Sequence, residues 1–236
     1  MPDTIWCLGM YASASTWLFN VVLKVARALY PKRLVVGGFV HTLANLEVAR
    51  RPAGLAIIKS HETELAAADE LGRLAASILV SIRDPRDAVA SLMTFQGHGF
   101  DKALQLAEAS ARLCSRFARD PRAALLRYEN GFVDDPRTLA LLAARLGGTL
   151  APQEQARIFG ETRRAAIERY IAGIDKMPTT LWSRQTGDYL DPATHWHRHH
   201  ANRTGEIGRW RRVLSPGQTA TIEANLADWT AEFDYA

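Results

Sequence analysis

Twice in this chain an apolar, β-branched run breaks directly into a short loop that opens a helical pattern. The first passage runs from TIWCLGM through YASASTW, residues 11–17, and the second from SILVSI into RDPRDAVAS, residues 83–91. A strand that delivers its loop to a helix N-terminus gathers backbone N–H groups, and the positive end of the helix dipole, at one point in space. This arrangement ties the fold to alternating strands and helices and offers an anion site at each passage. Two such sites suit a ligand with phosphate at both ends.

The rest of the pattern agrees with that frame. Strand-like runs occupy 5–8, 34–36, 56–58, 78–82 and 124–126, separated by helical periodicity over 17–30, 62–73, 88–95 and 102–119. Such alternation predicts an α/β fold, a central parallel β-sheet flanked by helices. Beyond residue 127 the pattern turns mostly helical, over 136–146, 153–172 and 219–233, with a long irregular, lid-like loop over 176–203. At 236 residues the chain reads as a single domain, 1–236. No apolar run is long enough to span a bilayer, and no basic-then-apolar leader is visible. The two isolated cysteines, Cys7 and Cys114, suit reduced thiols, so a cytoplasmic location is expected. The net charge of +4 is too mild to argue for nucleic acid.

In YASASTW, Ser13, Ser15 and Thr16 precede the helix, either as a cap or as part of an anion cradle. The Gly-Lys-Ser/Thr ending of a Walker A loop is missing, which speaks against an ATP or GTP site and a nucleotide kinase. Lys59 and His61 stand two apart at the end of a strand, so both project to one face. A proton-accepting imidazole beside an anion-holding ammonium suits group transfer onto a hydroxyl. A surface lysine and a helix-capping histidine is the plainer alternative. In RDPRDAVAS, Asp84, Pro85 and Asp87 are explained by helix-start chemistry. Arg83 and Ser91 are left over, Arg83 as a phosphate grip or as a surface partner for Asp. His195, His197, His199 and His200 match no closed zinc spacing, and Asp191 is the acid near them. They read as part of the lid, with no metal expected.

Taken in order, these segments resemble the PAPS-dependent sulfotransferases, which move a sulfuryl group from 3′-phosphoadenosine 5′-phosphosulfate to an acceptor. YASASTW is similar to the family's P-[KR]-[ST]-G-[ST]-[ST]-W loop, and Lys59-Ser60-His61 to its K-[ST]-H strand end. Arg83, Asp84, Pro85, Asp87 and Ser91 match its R-[ND]-P-x-D-x-x-x-S segment. LLRYEN around Tyr128 resembles its later Tyr-Glu strand, and residues 203–210 resemble its closing segment. The resemblance implies a P-loop-like fold with PAPS as co-substrate, PAP as product and no metal. It implies that Ser13, Ala14, Ser15 and Thr16 cradle the 5′-phosphosulfate and that Trp17 stacks on adenine. Arg83, Ser91, Arg203, Thr204 and Gly205 would hold the 3′-phosphate, with Tyr128 near the base edge. His61 would deprotonate the acceptor, a hydroxyl on a small molecule, sugar or lipid, while Lys59 would stabilise the sulfuryl oxygens. No oligomeric state is implied.

Three positions depart from the family pattern: Ala12 stands for a Lys or Arg, Ala14 for Gly, and Thr204 for Lys. The missing loop cation normally steadies the departing oxygen, and a positioned cation of that kind is worth roughly 10³–10⁵ in rate. Two expectations follow: a sulfotransferase, or a relative that binds PAP or PAPS with weak or no activity.

Overall fold

A computed structural model describes residues 4–50, 54–184, 187–202 and 205–235. The chain begins with β1 (Thr4–Gly9), α1 (Ser15–Leu29), β2 (Leu34–Phe39) and β3 (Gly54–Ser60). It continues through α2 (Leu65–Leu74), β4 (Ser77–Ile82), α3 (Pro85–Gln96), α4 (Phe100–Ala118) and β5 (Ala123–Arg127). The five strands form one sheet in the order β2-β3-β1-β4-β5, and every pairing is parallel.

Period-two alternation decides which helices cover which face. Trp6 and Leu8 of β1, with Ile58 and Val80 beside them, pack under α2, α3 and α4. Ile5 and Cys7, with Ile57 and Leu79, pack under α1 and the helix that follows β5. Each strand of the central trio is therefore buried along its whole length and mostly apolar, as a doubly covered parallel sheet requires. The connection after β1 leads toward β2 on one side, and the connection after β4 toward β5 on the other. Ligands of open α/β sheets bind at such a divergence, beyond the carboxyl ends of the strands.

The later part contains α5 (Arg137–Arg145), α6 (Pro152–Thr162) and α7 (Arg164–Ala172). The single helix expected over 153–172 is thus two, broken at Arg163, where ψ is 151°. The break is held from elsewhere in the chain: Asp134 accepts the Arg164 N–H at 3.0 Å, and Trp17 Nε1 donates to the Thr162 carbonyl at 2.6 Å. Neither partner lies in the periodic segment itself, so its pattern could not show them.

The segment expected as an irregular loop instead contains β6 (Leu181–Ser183), β7 (Asp188–Asp191) and β8 (Trp196–His197), which pair antiparallel as a small second sheet. Strands of two to four residues are too short for an alternation signal. Asp191 builds the turn between β7 and β8, accepting the Ala193 N–H and the Thr194 and Tyr170 hydroxyls. The chain then runs through α8 (Trp210–Val213), α9 (Pro216–Asn225) and α10 (Ala227–Glu232). Among the described residues no helix is long and apolar enough to cross a membrane.

Candidate active site

The loop after β1 folds back over its own strand because Gly9 has no side chain. A Cβ there would lie 2.4 Å from the Ser15 Cβ and 2.6 Å from the Ser81 Oγ. Ser13 is fully buried and anchors the turn, its hydroxyl within 2.6–3.0 Å of the Met10 carbonyl and of both oxygens of Ser81. Its N–H also goes to Met10. Ser13 therefore shapes the loop rather than facing the cavity.

Ala12 and Ala14 have φ of 61° and 62°, the left-handed region that costs an L-residue about 1–2 kcal/mol. Ala14 is the residue from which α1 starts, and its side chain supplies no acceptor for the helix N-terminus. With Ser13 turned inward, the hydroxyls of this segment do not serve as the expected N-cap. The N-terminus of α1 opens onto a cavity of about 570 Å³, lined there by Ala12, Ala14, Ser15, Thr16 and Trp17.

The end of β3 brings Lys59 and His61 to the same cavity. The Nδ1 of His61 lies 2.8 Å from the Gly9 carbonyl, which can only accept, so Nδ1 carries the proton. In the neutral ring, Nε2 is then the bare base, and it lies 3.3 Å from the Ser15 Oγ. Tyr11 stacks on the imidazole with ring centroids 4.4 Å apart. Lys59 is buried, its ammonium 5.7 Å from the Phe39 ring centroid.

The end of β4 and the start of α3 supply Arg83 and Ser91, both buried and both lining the cavity. Arg83 stacks over Tyr128 at 4.3 Å and donates to the Ala12 carbonyl at 3.2 Å and the Glu206 carbonyl at 2.8 Å. Its Nε is buried without an acceptor, as is that of Arg209, another cavity residue. Buried donors left unmet in a cavity mark the place of a missing acceptor, such as an anionic ligand.

Asp84 caps α3 as expected, accepting the Arg86 N–H at 2.9 Å. Asp87 does more than complement the helix dipole. It accepts the N–H groups of Gly208 and Trp210 at 2.7 and 3.0 Å and so ties the segment after residue 205 to α3. Gly205 lines the cavity with φ 65°, and a Cβ on it would meet the Arg164 guanidinium at 1.6 Å. Arg203 and Thr204 lie outside the described residues.

Sequence reasoning missed Arg164, Arg209, Phe39 and Glu62 as cavity residues. Phe39 ends β2 and Arg164 opens α7, both outside any motif, whereas Glu62 follows the Lys59-Ser60-His61 strand end and Arg209 lies in the closing segment, at positions to which the pattern gives no role. His195 also lines the cavity, with φ 55° and its ring against Phe19. Burial, and then the charge of Lys59, bring its pKa down to about 4 from 6.5.

The sequence matches no protein-family model and no curated protein. Its structure is similar to that of mouse sulfotransferase SULT7A1 complexed with PAP, at 16% identity over 98% of this chain and 85% of that one, with a TM-score of 0.63. Retinol dehydratase in complex with androsterone and inactive cofactor PAP matches at 16% identity over 97% of this chain and 81% of that one, with a TM-score of 0.60. The sulfotransferase domain from the curacin biosynthetic pathway matches at 16% identity over 96% and 98%, with a TM-score of 0.51. The chain has the fold of the PAPS-dependent sulfotransferases.

Two outcomes follow from this geometry. Ala14→Gly relieves the left-handed strain and gives back part of that gain as added freedom of the unfolded chain, so urea denaturation is expected to show a net gain of about 0.5–1 kcal/mol. For His195, the unfolded imidazole protonates near 6.5 and the folded one near 4, so between those values the unfolded state binds more protons. Stability is expected to fall as pH drops through that window and to level off below it. His195→Gln, measured by denaturation at a series of pH values, should flatten that fall.

Proposed function

We propose that the protein is a PAPS-dependent sulfotransferase acting on a hydroxyl of a small-molecule, sugar or lipid acceptor. The observation that carries this reading is the fixed tautomer of His61. A proton-accepting Nε2 faces the N-terminus of α1, with the buried Lys59 ammonium lining the same cavity.

In this reading Ser15, Thr16 and the loop backbone with Ala14 hold the 5′-phosphosulfate at the helix N-terminus. Ser13 holds the loop in shape. Trp17 packs against adenine, and Tyr128 lies near the base edge under Arg83. Arg83, Ser91 and the Gly205 backbone, with Arg203 and Thr204, hold the 3′-phosphate. The unmet Nε of Arg83 supports that assignment.

The acceptor oxygen attacks sulfur in line. His61 Nε2 takes its proton as the new S–O bond forms. The bond to the 5′-phosphate oxygen breaks, and its electron pair leaves on PAP. Lys59 stabilises charge on the sulfuryl oxygens, so the chemistry rests on positioning and electrostatics. We place the reaction in the cytosol with the whole chain as one domain, where the buried thiols of Cys7 and Cys114 stay reduced.

A second reading is favoured by the loop itself. Ala12 supplies no cation beside the departing oxygen, and its carbonyl already occupies a donor of Arg83. The protein would then bind PAP or PAPS with weak or no turnover.

Calorimetry with PAP, combined with mass spectrometry of acceptors incubated with PAPS, separates the two. His61→Ala is expected to lower turnover by about 10²–10⁴-fold with PAP affinity kept, the scale of a lost general base. PAP binding without sulfated product from any acceptor selects the second reading, and absence of PAP binding removes both. Ala12→Lys is expected to raise turnover by roughly an order of magnitude or more. An unchanged rate would mean that another group already steadies the leaving oxygen.

A further inference from the structure

On sequence the histidine-rich stretch 195–200 reads as part of the lid-like loop 176–203, with Asp191 as its nearest acid. The structure pairs it with a different carboxylate. Asp191 is spent on the turn between β7 and β8. The β7–β8 ladder ends with Leu190 opposite His197, and the 3-10 turn that follows (Arg198–Asn202) sets His199 against Asp188. The contacts agree: Asp188 Oδ2 accepts the His199 N–H at 2.9 Å and lies 2.6 Å from its Nδ1. His197, the last residue of β8, lies beside it, its ring centroid 5.0 Å from that of His199.

We infer that Asp188, His197 and His199 form a binding site for a first-row divalent transition-metal ion, with Zn²⁺ as the natural probe. Each of the three offers one ligand atom, and these atoms all lie within 4.8 Å of one another. Around a tetrahedral ion with bonds of about 2.1 Å, ligand atoms stand roughly 3.4 Å apart. Small side-chain rotations therefore close the set. All three residues are partly buried, so the ligands are held by the fold and still reachable from solvent.

The donor set selects the ion. Two imidazoles and one carboxylate suit Zn²⁺ and its neighbours, whereas Mg²⁺ and Ca²⁺ prefer all-oxygen shells. The Nδ1 of His200 accepts the His197 N–H at 3.0 Å, and its ring lies 4.5 Å from that of His199. That contact holds the backbone beside the cluster. His197 and His199 also line the cavity. A bound ion would staple β7 to the turn that leads toward Gly205.

The test is calorimetry with Zn²⁺ on untagged full-length protein stripped by a chelator, with no nucleotide present, so it does not depend on the sulfotransferase reading. One equivalent is expected to bind, with at least a tenfold loss of affinity in Asp188→Asn, His197→Ala and His199→Ala and no change in His41→Ala. Because a variant could lose affinity by misfolding, each is checked by circular dichroism, and His199→Gln repeats the test with a side chain of closer size. Zn²⁺ should raise the Tm of the native protein and not that of His199→Gln. Absence of stoichiometric uptake, or uptake that survives all three ligand changes, overturns the proposal.

Discussion

Gly9 lies at the last position of β1, and its carbonyl receives the Nδ1 proton of His61 across the β1–β3 boundary. That contact exists because β1 and β3 pair in parallel with Leu8 opposite Ser60, which places the residue after β3 beside the end of β1. Slipping the register by one residue would turn every side chain of β3 to the other face. Lys59 and His61 would then leave the cavity together. The orientation of the imidazole is thus fixed by sheet pairing, and the sheet pairing by the apolar faces of Ile57 and Ile58.

Around that contact the first loop is held in a conformation its own residues disfavour. Two left-handed alanines on either side of Ser13 are maintained by Ser13 on Ser81, by Arg83 on the Ala12 carbonyl and by the close approach over Gly9. Strain of this kind persists where the surroundings over-determine it. Its effect is to leave the N-terminus of α1 without a side-chain cap and facing the cavity.

The sheet and the first four helices could be read from the sequence because their signal is local: apolar runs of fixed period, bounded by loops. The residues at the strand ends were readable for the same reason, since parallel sheets collect their loops at one edge. What the sequence did not show depends on partners far along the chain. The break at Arg163 needs Asp134 and Trp17, the tether of residues 208–210 needs Asp87, and the inward turn of Ser13 needs Ser81. Nearness in sequence points to Asp191 as the acid beside the histidines. The turn after β8 instead brings His199 onto Asp188 of β7.

Arg83 deserves a last consequence. One guanidinium grips the carbonyl of Ala12 near the beginning of the chain and that of Glu206 near its end. The two segments are therefore mechanically coupled through a single side chain that cannot lengthen. If one is displaced by an ångström, the other must follow or release its bond, so whatever settles against either segment is sensed by both.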